Sequence, residues 1–253
     1  MTASVPMGAS RSGRRPARYL VAAGVVVAVV LPSRIASQVP CDSTRMTKLP
    51  LIERPALQDT AQTLVVLLTG DGGWASADEK VAAGLRARGA AVVGLNMRSY
   101  LGKRKTPEQA ADDVGCVAEY FGGAWRRSRL MLLGYSRGAD IAPFVAARWP
   151  EALRGRLNMV ALVSPSRQAN FEFHLIDLFR DVERDDDLSL GPELQRLRGL
   201  RVICIYGAED RTSGCLGSDP QLMQSYVRPG GHRLTGGFDA VADLLAAGLS
   251  PPR

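Results

Sequence analysis

The chain has 253 residues, of which 46% are hydrophobic and 23% charged, so it holds enough apolar material for one globular domain with a core. Its net charge of +7 at pH 7 would be typical of a nucleic-acid-binding protein. However, residues 1–37 contain five arginines and no acidic residue, so the remainder carries only +2. We therefore infer no nucleic-acid-binding surface. With two histidines and no C-x-x-C pair, we expect no metal site. We expect no cofactor either.

Residues 1–37 have the pattern of an export signal. A basic start is followed by thirteen mostly apolar residues, Tyr19–Leu31, and then by the polar stretch Ser33–Gln38. Thirteen residues are few for a membrane span and typical of a signal-peptide core. We predict a signal peptide or N-terminal membrane anchor over 1–37, a lead-in segment over 38–60 and one domain over 61–250, located in the periplasm.

From residue 61 onwards, apolar runs alternate with amphipathic segments. The predicted strands are Thr63–Thr69, Ala90–Leu95, Leu130–Leu133, Asn158–Val163 and Val202–Tyr206. The predicted helices are Ser76–Arg88, Pro107–Trp125, 137–149 and Asp239–Ala247. This alternation predicts an α/β fold with a mostly parallel, doubly wound sheet and helices on both faces. Residues 165–200 form the longest stretch between strands, which is the usual place for a lid.

Residues 134–138 read Gly-Tyr-Ser-Arg-Gly and lie between a predicted strand and a predicted helix. In this setting Gly-x-Ser-x-Gly is the nucleophile elbow of the α/β-hydrolases, where a strained turn lifts the serine oxygen above the sheet. Ser136 is therefore a candidate nucleophile, and the backbone N–H of Arg137 is a candidate oxyanion-hole donor. The alternative is a glycine-punctuated turn that holds a serine by chance.

The first predicted strand ends in a glycine-rich turn, residues 70–73. Such a turn presents backbone N–H groups to an anion, but the Lys-Ser/Thr of a phosphate loop and the G-x-G-x-x-G spacing are both missing. In a hydrolase the same turn supplies the second oxyanion donor. We expect this donor to be the N–H of Asp71 or Gly72.

Two candidate partners of Ser136 follow it in the chain. Asp210 comes just after a late predicted strand, and His232 lies 22 residues further on. The order Ser, Asp, His is that of α/β-hydrolases, in which the histidine acts as base and then acid and the carboxylate fixes its tautomer. Glu209 is the second candidate for the acid. The other histidine, His174, precedes the acid in a Phe-rich stretch, so we assign it a structural or lid role.

Three further residues are candidates for substrate binding: Asp71, Trp74 and Asp140. Asp140 lies four residues after Ser136 on the predicted helix, where it could bond to neighbouring loops or face a cationic substrate. The acidic run Asp181–Asp187 could also attract a cation, but we interpret it as a solvated turn.

Four cysteines in an exported chain permit disulfides. Cys204 and Cys215 flank the turn that holds Asp210, so a disulfide between them would brace that turn. The alternative is a buried thiol at the end of a strand. Cys41 and Cys116 would form the remaining pair.

Seven linked motifs run through the chain. They are Leu-Thr-Gly-Asp-Gly-Gly-Trp (68–74), Arg-Lys-Thr-Pro-Glu (104–108), Gly-Tyr-Ser-Arg-Gly-Ala-Asp (134–140), Phe-Glu-Phe-His (171–174), Cys-Ile-Tyr-Gly (204–207), Cys215 and Gly-Gly-His (230–232). Together they resemble the bacterial virulence protein VirJ/AcvB family over roughly residues 49–247. The resemblance implies an exported α/β-hydrolase whose serine, acid and histidine fall on Ser136, Asp210 and His232.

The same resemblance implies a substrate. It is lysyl-phosphatidylglycerol, an aminoacyl-phospholipid at the outer face of the inner membrane, whose ester would be hydrolysed to lysine and phosphatidylglycerol. Virulence or secretion-system proteins are implied as partners. The residues alone leave two other functions open, namely a periplasmic carboxylesterase or thioesterase for another acyl group, and a non-catalytic assembly factor for secretion. If the protein hydrolyses lysyl-phosphatidylglycerol, Asp71→Asn or Asp140→Asn would selectively slow the hydrolysis of cationic esters. Complementation of the phenotype by Ser136→Ala would favour the non-catalytic assembly factor.

Overall fold

A computed structural model of the protein describes residues 41–58, 60–175 and 184–250. The predicted leader, residues 1–37, and the first part of the acidic run, residues 181–183, lie outside the described residues. Within the described ranges, no helix combines the length and the apolar character needed to cross a membrane.

Nine strands and eight helices are present in the described part of the chain. The strands are β1 (Leu51–Arg54), β2 (Thr63–Leu68), β3 (Ala91–Leu95), β4 (Arg129–Tyr135), β5 (Leu157–Val163), β6 (Gln168–Ala169), β7 (Leu188–Ser189), β8 (Val202–Gly207) and β9 (Gln224–Arg228). The helices are α1 (Ser43–Met46), α2 (Ser76–Ala87), α3 (Met97–Tyr100), α4 (Pro107–Ala124), α5 (Arg137–Arg148), α6 (Glu151–Arg154), α7 (Leu190–Arg196) and α8 (Phe238–Ala246).

Seven of the strands form one sheet in the order β1-β3-β2-β4-β5-β8-β9, and only the β1–β3 pair is antiparallel. The chain first moves from β2 to β3 and then crosses back to β4, so the winding direction reverses between β2 and β4. In open parallel sheets such a reversal leaves a crevice at the carboxyl ends of the strands. The loops after β2 and β4, which hold Asp71 and Ser136, meet at this crevice.

The central strands are buried on both faces, which explains their continuous apolar runs. In β2, Leu64 and Leu68 pack in the same cluster as residues of α4 and α5. The alternate residues Val65 and Leu67 point the other way and pack in a second cluster with residues of α2 and α8. Helices therefore cover both faces of a mostly parallel sheet, which confirms the predicted fold class.

Helix α4 begins where the sequence predicts. The Thr106 hydroxyl oxygen accepts a hydrogen bond from the N–H of Gln109 at 3.1 Å, and the Gln109 side chain accepts one from the N–H of Thr106 at 3.0 Å. Pro107 occupies the first helical position, where its missing N–H costs no hydrogen bond.

The sequence does not predict the two edge strands of the sheet. β1 lies in the segment 38–60 interpreted as a lead-in, and it pairs with β3 so that Leu51 lies opposite Leu95. β9 pairs in parallel with β8. Both strands are partly exposed and carry polar side chains, so no apolar run marks them. The sheet therefore begins before residue 61, the predicted start of the domain.

The described part of the stretch 165–200 forms no separate lid. β6 pairs with β7, and α7 buries Leu190 and Leu194 in the same core cluster as α5. In the acidic run, Asp185 and Asp186 are exposed, which is compatible with a solvated turn. Asp186 also forms an ion pair with Arg104.

Two disulfides are present, Cys204–Cys215 and Cys41–Cys116, which confirms the predicted pairing. The second one attaches the residues before β1 to helix α4. Arg45 reinforces this attachment through an ion pair with Asp113 on the same helix. Two disulfides fit an exported protein, because thiols stay reduced in the cytoplasm.

Candidate active site

Ser136 lies on the sharp turn between β4 and α5, with φ of 50° and ψ of −119°. A non-glycine residue adopts such a backbone only where its surroundings hold it there. The Ser136 N–H donates to the Val163 carbonyl at 2.8 Å, which fixes the turn against β5. A Cβ at Gly134 would lie 2.3 Å from the Gly138 carbonyl oxygen, and one at Gly138 would lie 2.0 Å from that of Leu68. This is the backbone arrangement of a nucleophile elbow.

The imidazole of His232 contacts Ser136 from a loop that follows β9. The Ser136 Oγ and the His232 Nε2 are 2.9 Å apart, although the residues are 96 positions apart in sequence. A bridge between Gly230 and Leu234 closes the loop at its base. The His232 side chain is 40% exposed, so a substrate can approach it from the solvent.

Asp210, on the loop after β8, lies on the opposite side of the imidazole. Its side chain is 3% exposed, and its Oδ2 lies 3.4 Å from the His232 Nδ1. This distance is long for a hydrogen bond, as it often is in catalytic pairs before substrate binds. Thr212 holds the other oxygen, because its N–H and O–H donate to Oδ1 at 3.1 and 2.9 Å. Oδ2 has no hydrogen-bond partner among the described residues, so it is left for the imidazole.

Of the two candidate acids, the structure brings only Asp210 to the histidine. Glu209 is exposed, whereas Asp210 is buried. Thr212 is not among the residues predicted from the sequence. The signal that could have found it is the Asp-x-Thr spacing, because a hydroxyl and an N–H two residues after an aspartate commonly bond to its carboxylate.

The loop that holds Asp210 is fixed at both ends. Cys204 lies within β8, and its disulfide to Cys215 spans 11 positions around Asp210. The Gly214 N–H donates to the Pro165 carbonyl at 2.7 Å. A Cβ at Gly214 would lie 2.2 Å from the Ser166 carbonyl oxygen, so the two loops are in close backbone contact. The acid loop is thereby held against the loop after β5.

Replacing Cys204 and Cys215 together by serine should lower both stability and turnover. Loop-closure entropy for a span of this length corresponds to about 3 kcal/mol of unfolding free energy. The unbraced loop would also hold Asp210 less accurately, so we expect kcat of the folded fraction to fall about tenfold. Urea unfolding and ester hydrolysis by the folded protein are the measurements.

The double serine variant of Cys41 and Cys116 is the matched control. Its disulfide spans 75 positions, so the same entropy model gives a larger stability loss of about 4.5 kcal/mol. This disulfide lies away from the Asp210 loop, so kcat should stay near the original value. Equal effects of the two double variants on kcat would contradict a bracing role for Cys204–Cys215.

The loop after β2 lies against the elbow on the other side of the serine. A Cβ at Gly70 would lie 3.2 Å from the Ser136 Cβ. The Asp71 carboxylate forms a two-pronged ion pair with Arg137, with Nε–Oδ1 and Nη2–Oδ2 distances of 3.1 and 3.2 Å. This pair joins the two segments whose backbone N–H groups are the predicted oxyanion donors. Asp71 and Gly72 are the two candidate donors on this loop. Asp71 lines a cleft that opens above Ser136, whereas Gly72 is exposed and is not among the described residues that line this cleft.

The other predicted substrate-binding residues have different surroundings. Asp140 is buried at the cleft, and its Oδ1 accepts a hydrogen bond from the Ser166 N–H at 2.6 Å, so it holds the loop after β5. Trp74 is not among the described residues that line the cleft. Its indole N–H donates to Glu79 at 2.8 Å, and its ring covers Gly94, where a Cβ would lie 2.3 Å from the ring.

His174 also lies away from the cleft wall. Its Nε2 is buried and has no hydrogen-bond partner within the described residues. This placement is compatible with the structural role assigned to it. In the described ranges, no group of three or more His, Cys, Asp or Glu side chains is arranged to hold a metal ion.

The cleft above Ser136 has a volume of about 600 Å³ and opens to the solvent. Its wall is polar and contains four arginines and three aspartates. The residues that line it are Asp71, Ser136, Arg137, Asp140, Ser166, Arg167, Gln168, Asn170, Arg184, Asp187, Arg211, Thr212 and His232. Arg167, Arg184 and Arg211 are not among the residues predicted from the sequence, because each lies in an irregular segment that only the fold brings to the cleft.

The family model described as bacterial virulence protein (VirJ) matches residues 62–251. The chain belongs to the VirJ family. This assignment confirms the resemblance drawn from the linked motifs. No curated protein matches this VirJ-family sequence.

Solved structures share the fold of this VirJ-family chain. Est1E from Butyrivibrio proteoclasticus is 14% identical, with 78% of this chain and 90% of that one covered and a TM-score of 0.55. The esterase domain of a Rhodothermus marinus protein is 13% identical, with 78% and 89% covered and a TM-score of 0.51. The protein Atu2452 of unknown function from Agrobacterium tumefaciens is 19% identical, with 81% and 99% covered and a TM-score of 0.52. At these identities the likeness concerns the fold alone.

Proposed function

We propose that this VirJ-family protein is a serine ester hydrolase. Ser136 would be the nucleophile, His232 the base and then the acid, and Asp210 the group that orients the imidazole. The observation that carries the proposal is the 2.9 Å distance between the Ser136 Oγ and the His232 Nε2, on a turn whose backbone is that of a nucleophile elbow.

The proposed reaction has two halves. In the first, the Ser136 Oγ attacks the ester carbonyl carbon while the His232 Nε2 takes the hydroxyl proton. The tetrahedral intermediate then expels the alcohol, which receives that proton from His232, and an acyl-serine remains. In the second half, water attacks the acyl-serine with His232 again as base, and the acid is released with Ser136 restored. Asp210 would keep the proton of the neutral imidazole on Nδ1 and stabilise the imidazolium.

The developing oxyanion would be stabilised by the backbone N–H groups of Arg137 and Asp71. Donors that are fixed in advance are effective because no reorganisation is needed as charge develops. The Asp71–Arg137 ion pair supports this role, since it joins the two donor segments through their own side chains. Its side chains are only 11% and 17% exposed, so salt screens the pair weakly.

For the substrate we propose lysyl-phosphatidylglycerol, hydrolysed to lysine and phosphatidylglycerol in the periplasm. An aminoacyl ester is already activated, so a serine nucleophile can cleave it without a metal or cofactor. The open cleft suits a lipid head group. Asp187 lines the cleft as a carboxylate whose oxygens accept from Asn170 and from the Arg184 N–H, and it could receive an ammonium group as well.

One observation favours a second candidate, a periplasmic carboxylesterase or thioesterase for another acyl group. Asp71 and Asp140 are the carboxylates expected to attract a lysyl group. In the structure Asp71 pairs with Arg137, and Asp140 accepts from the Ser166 N–H. The third cleft carboxylate, Asp187, also accepts hydrogen bonds, so all three are already engaged, which would suit an acyl group without a positive charge.

Purified protein should release lysine from vesicles that contain lysyl-phosphatidylglycerol. We expect kcat/KM to be about tenfold lower for alanyl-phosphatidylglycerol, because alanine lacks the ε-ammonium group of lysine and so loses one charge-assisted hydrogen bond. Mass spectrometry of the lipids and quantification of the released amino acid are the measurements. Equal rates on both lipids would contradict recognition of the lysine side chain, and a faster rate on an acyl ester without an amino group would favour the second candidate. No release from any ester would contradict hydrolysis itself.

A further inference from the structure

Two exposed arginines, Arg167 and Arg211, line the wall of the cleft. Among the residues that the structure describes, neither guanidinium forms a hydrogen bond or an ion pair. Arg137, in the same wall, differs because Asp71 pairs with it. Both unpaired side chains line the same cleft as Ser136 and His232, and both residues are exposed. These two guanidinium groups are therefore available to a ligand in the cleft, whose wall holds four arginines and three aspartates in all.

The backbone on either side of these arginines is fixed. The Ser166 N–H donates to Asp140 at 2.6 Å, directly before Arg167, and the Arg167 carbonyl accepts from the Leu190 N–H at 3.1 Å. Arg211 lies between Asp210 and Thr212, which bond to each other.

The two arginine loops are also joined to each other. The Gly214 N–H donates to the Pro165 carbonyl at 2.7 Å. Gly214 lies three residues after Arg211, and Pro165 lies two residues before Arg167. Fixed backbones leave only the side chains to be ordered when a ligand binds, which lowers the entropy cost of binding.

Chain connectivity indicates which part of the substrate these arginines face. Arg211 directly follows Asp210, whose Oδ2 lies 3.4 Å from the His232 Nδ1, so its loop is on the imidazole side of Ser136. In the proposed reaction His232 delivers a proton to the departing alcohol. The alcohol portion of the ester would therefore leave on the imidazole side of Ser136, which is the side of the Arg211 loop.

We infer that Arg167 and Arg211 form an anion subsite that binds a phosphate group on the alcohol portion of the ester. This inference rests on the proposed hydrolysis and adds a requirement on the leaving group. A phosphodiester keeps its negative charge at any physiological pH. Guanidinium groups bind phosphate oxygens through paired N–H donors, which an ammonium group cannot do.

The test compares two soluble esters with the same lysyl group, lysyl-glycerol and lysyl-glycerophosphate. The variant replaces Arg167 and Arg211 by glutamine, and the control variant, Arg198→Gln, removes an exposed arginine outside the cleft wall. We expect the double variant to lose about 10- to 100-fold in kcat/KM on the phosphate ester, mostly through KM. On the neutral ester the loss should stay within about threefold. Arg198→Gln should match the original protein on both esters.

Equal losses on the two esters, or no loss on the phosphate ester, would overturn the subsite. A membrane-contact role is separated by a third substrate, vesicles of lysyl-phosphatidylglycerol. If the double variant is impaired on vesicles but not on soluble lysyl-glycerophosphate, the arginines bind the lipid surface rather than the substrate phosphate, and the inference is wrong.

A binding measurement keeps this inference distinguishable from the proposed hydrolysis. Ser136→Ala protein should bind glycerol 3-phosphate in calorimetry and bind glycerol at least about tenfold more weakly, and the arginine pair should account for that difference. If the original protein cleaves neither ester, hydrolysis fails while calorimetry still decides the subsite. Equal affinity for glycerol and glycerol 3-phosphate, or undiminished binding by the arginine double variant, would refute it.

Discussion

Ser136→Ala should lose ester hydrolysis by a factor of about 10⁴ to 10⁶ in kcat while remaining folded. Removal of the hydroxyl abolishes the acyl-serine, so the nucleophile and the proton that His232 would accept disappear together. The Ser136 N–H to Val163 bond and the close glycine contacts do not involve the hydroxyl, so the elbow should keep its backbone. Initial rates on a soluble lysyl ester measure the loss, and circular dichroism with urea unfolding checks the fold.

Ser164→Ala is a matched control for this variant. Ser164 has the same φ of 50° as Ser136 and directly follows the neighbouring strand β5, although it is buried whereas Ser136 is half-buried. Its hydroxyl has no hydrogen-bond partner within the described residues and does not line the cleft. Activity should therefore persist when it is replaced. A Ser136→Ala protein that retains more than about one percent of the original rate would remove Ser136 from the role of nucleophile.

Asp210→Asn should lower kcat by about 10⁴-fold, whereas Glu209→Gln should change it by less than about threefold. Both substitutions remove one negative charge from adjacent positions, so a difference between them reports on geometry. Asp210 is buried with Oδ2 directed at the imidazole, while Glu209 is exposed. An amide at position 210 would offer a donor to Nδ1 and favour the wrong tautomer of His232. Thr212 still donates to the remaining oxygen, so the loop should fold as before.

The measurement is the rate on a single ester across a range of pH, with urea unfolding of each variant alongside. If Glu209→Gln proves the more damaging change, the assignment of the acid is wrong and the loop must rearrange when substrate binds. If both variants keep the original rate, His232 works without an orienting carboxylate.

The central strands of the fold could be predicted from the sequence because strands that are buried on both faces are continuous apolar runs. β2 and β4 are buried on both faces, and their uninterrupted apolar residues allow few other interpretations. The edge strands β1 and β9 escaped prediction because one side of each is open to water and their residues are mixed. Their place in the sheet is decided by pairing with β3 and β8, which is a tertiary effect.

The three residues Ser136, Asp210 and His232 could be named from sequence because they follow motifs and the chain order of a known reaction class. Their surroundings could not. The Asp71–Arg137 ion pair joins residues 66 positions apart, and only the crossing from β2 to β4 brings them together. Trp74 is a candidate for substrate binding by sequence, but its large ring packs over the bare backbone of Gly94.

The Cys204–Cys215 disulfide has a consequence for where the chain can work. Asp210 lies inside the span that this bond closes, so under the proposed mechanism the loop that holds the orienting carboxylate would be fully braced only after the two thiols have been oxidised. In a newly synthesised chain in a reducing compartment, the loop that holds Asp210 would be more mobile, and the His232 imidazole would be less well oriented. If the proposed hydrolysis is correct, the reduced protein would therefore act about tenfold more slowly, and full activity would be reached only where the two thiols can be oxidised.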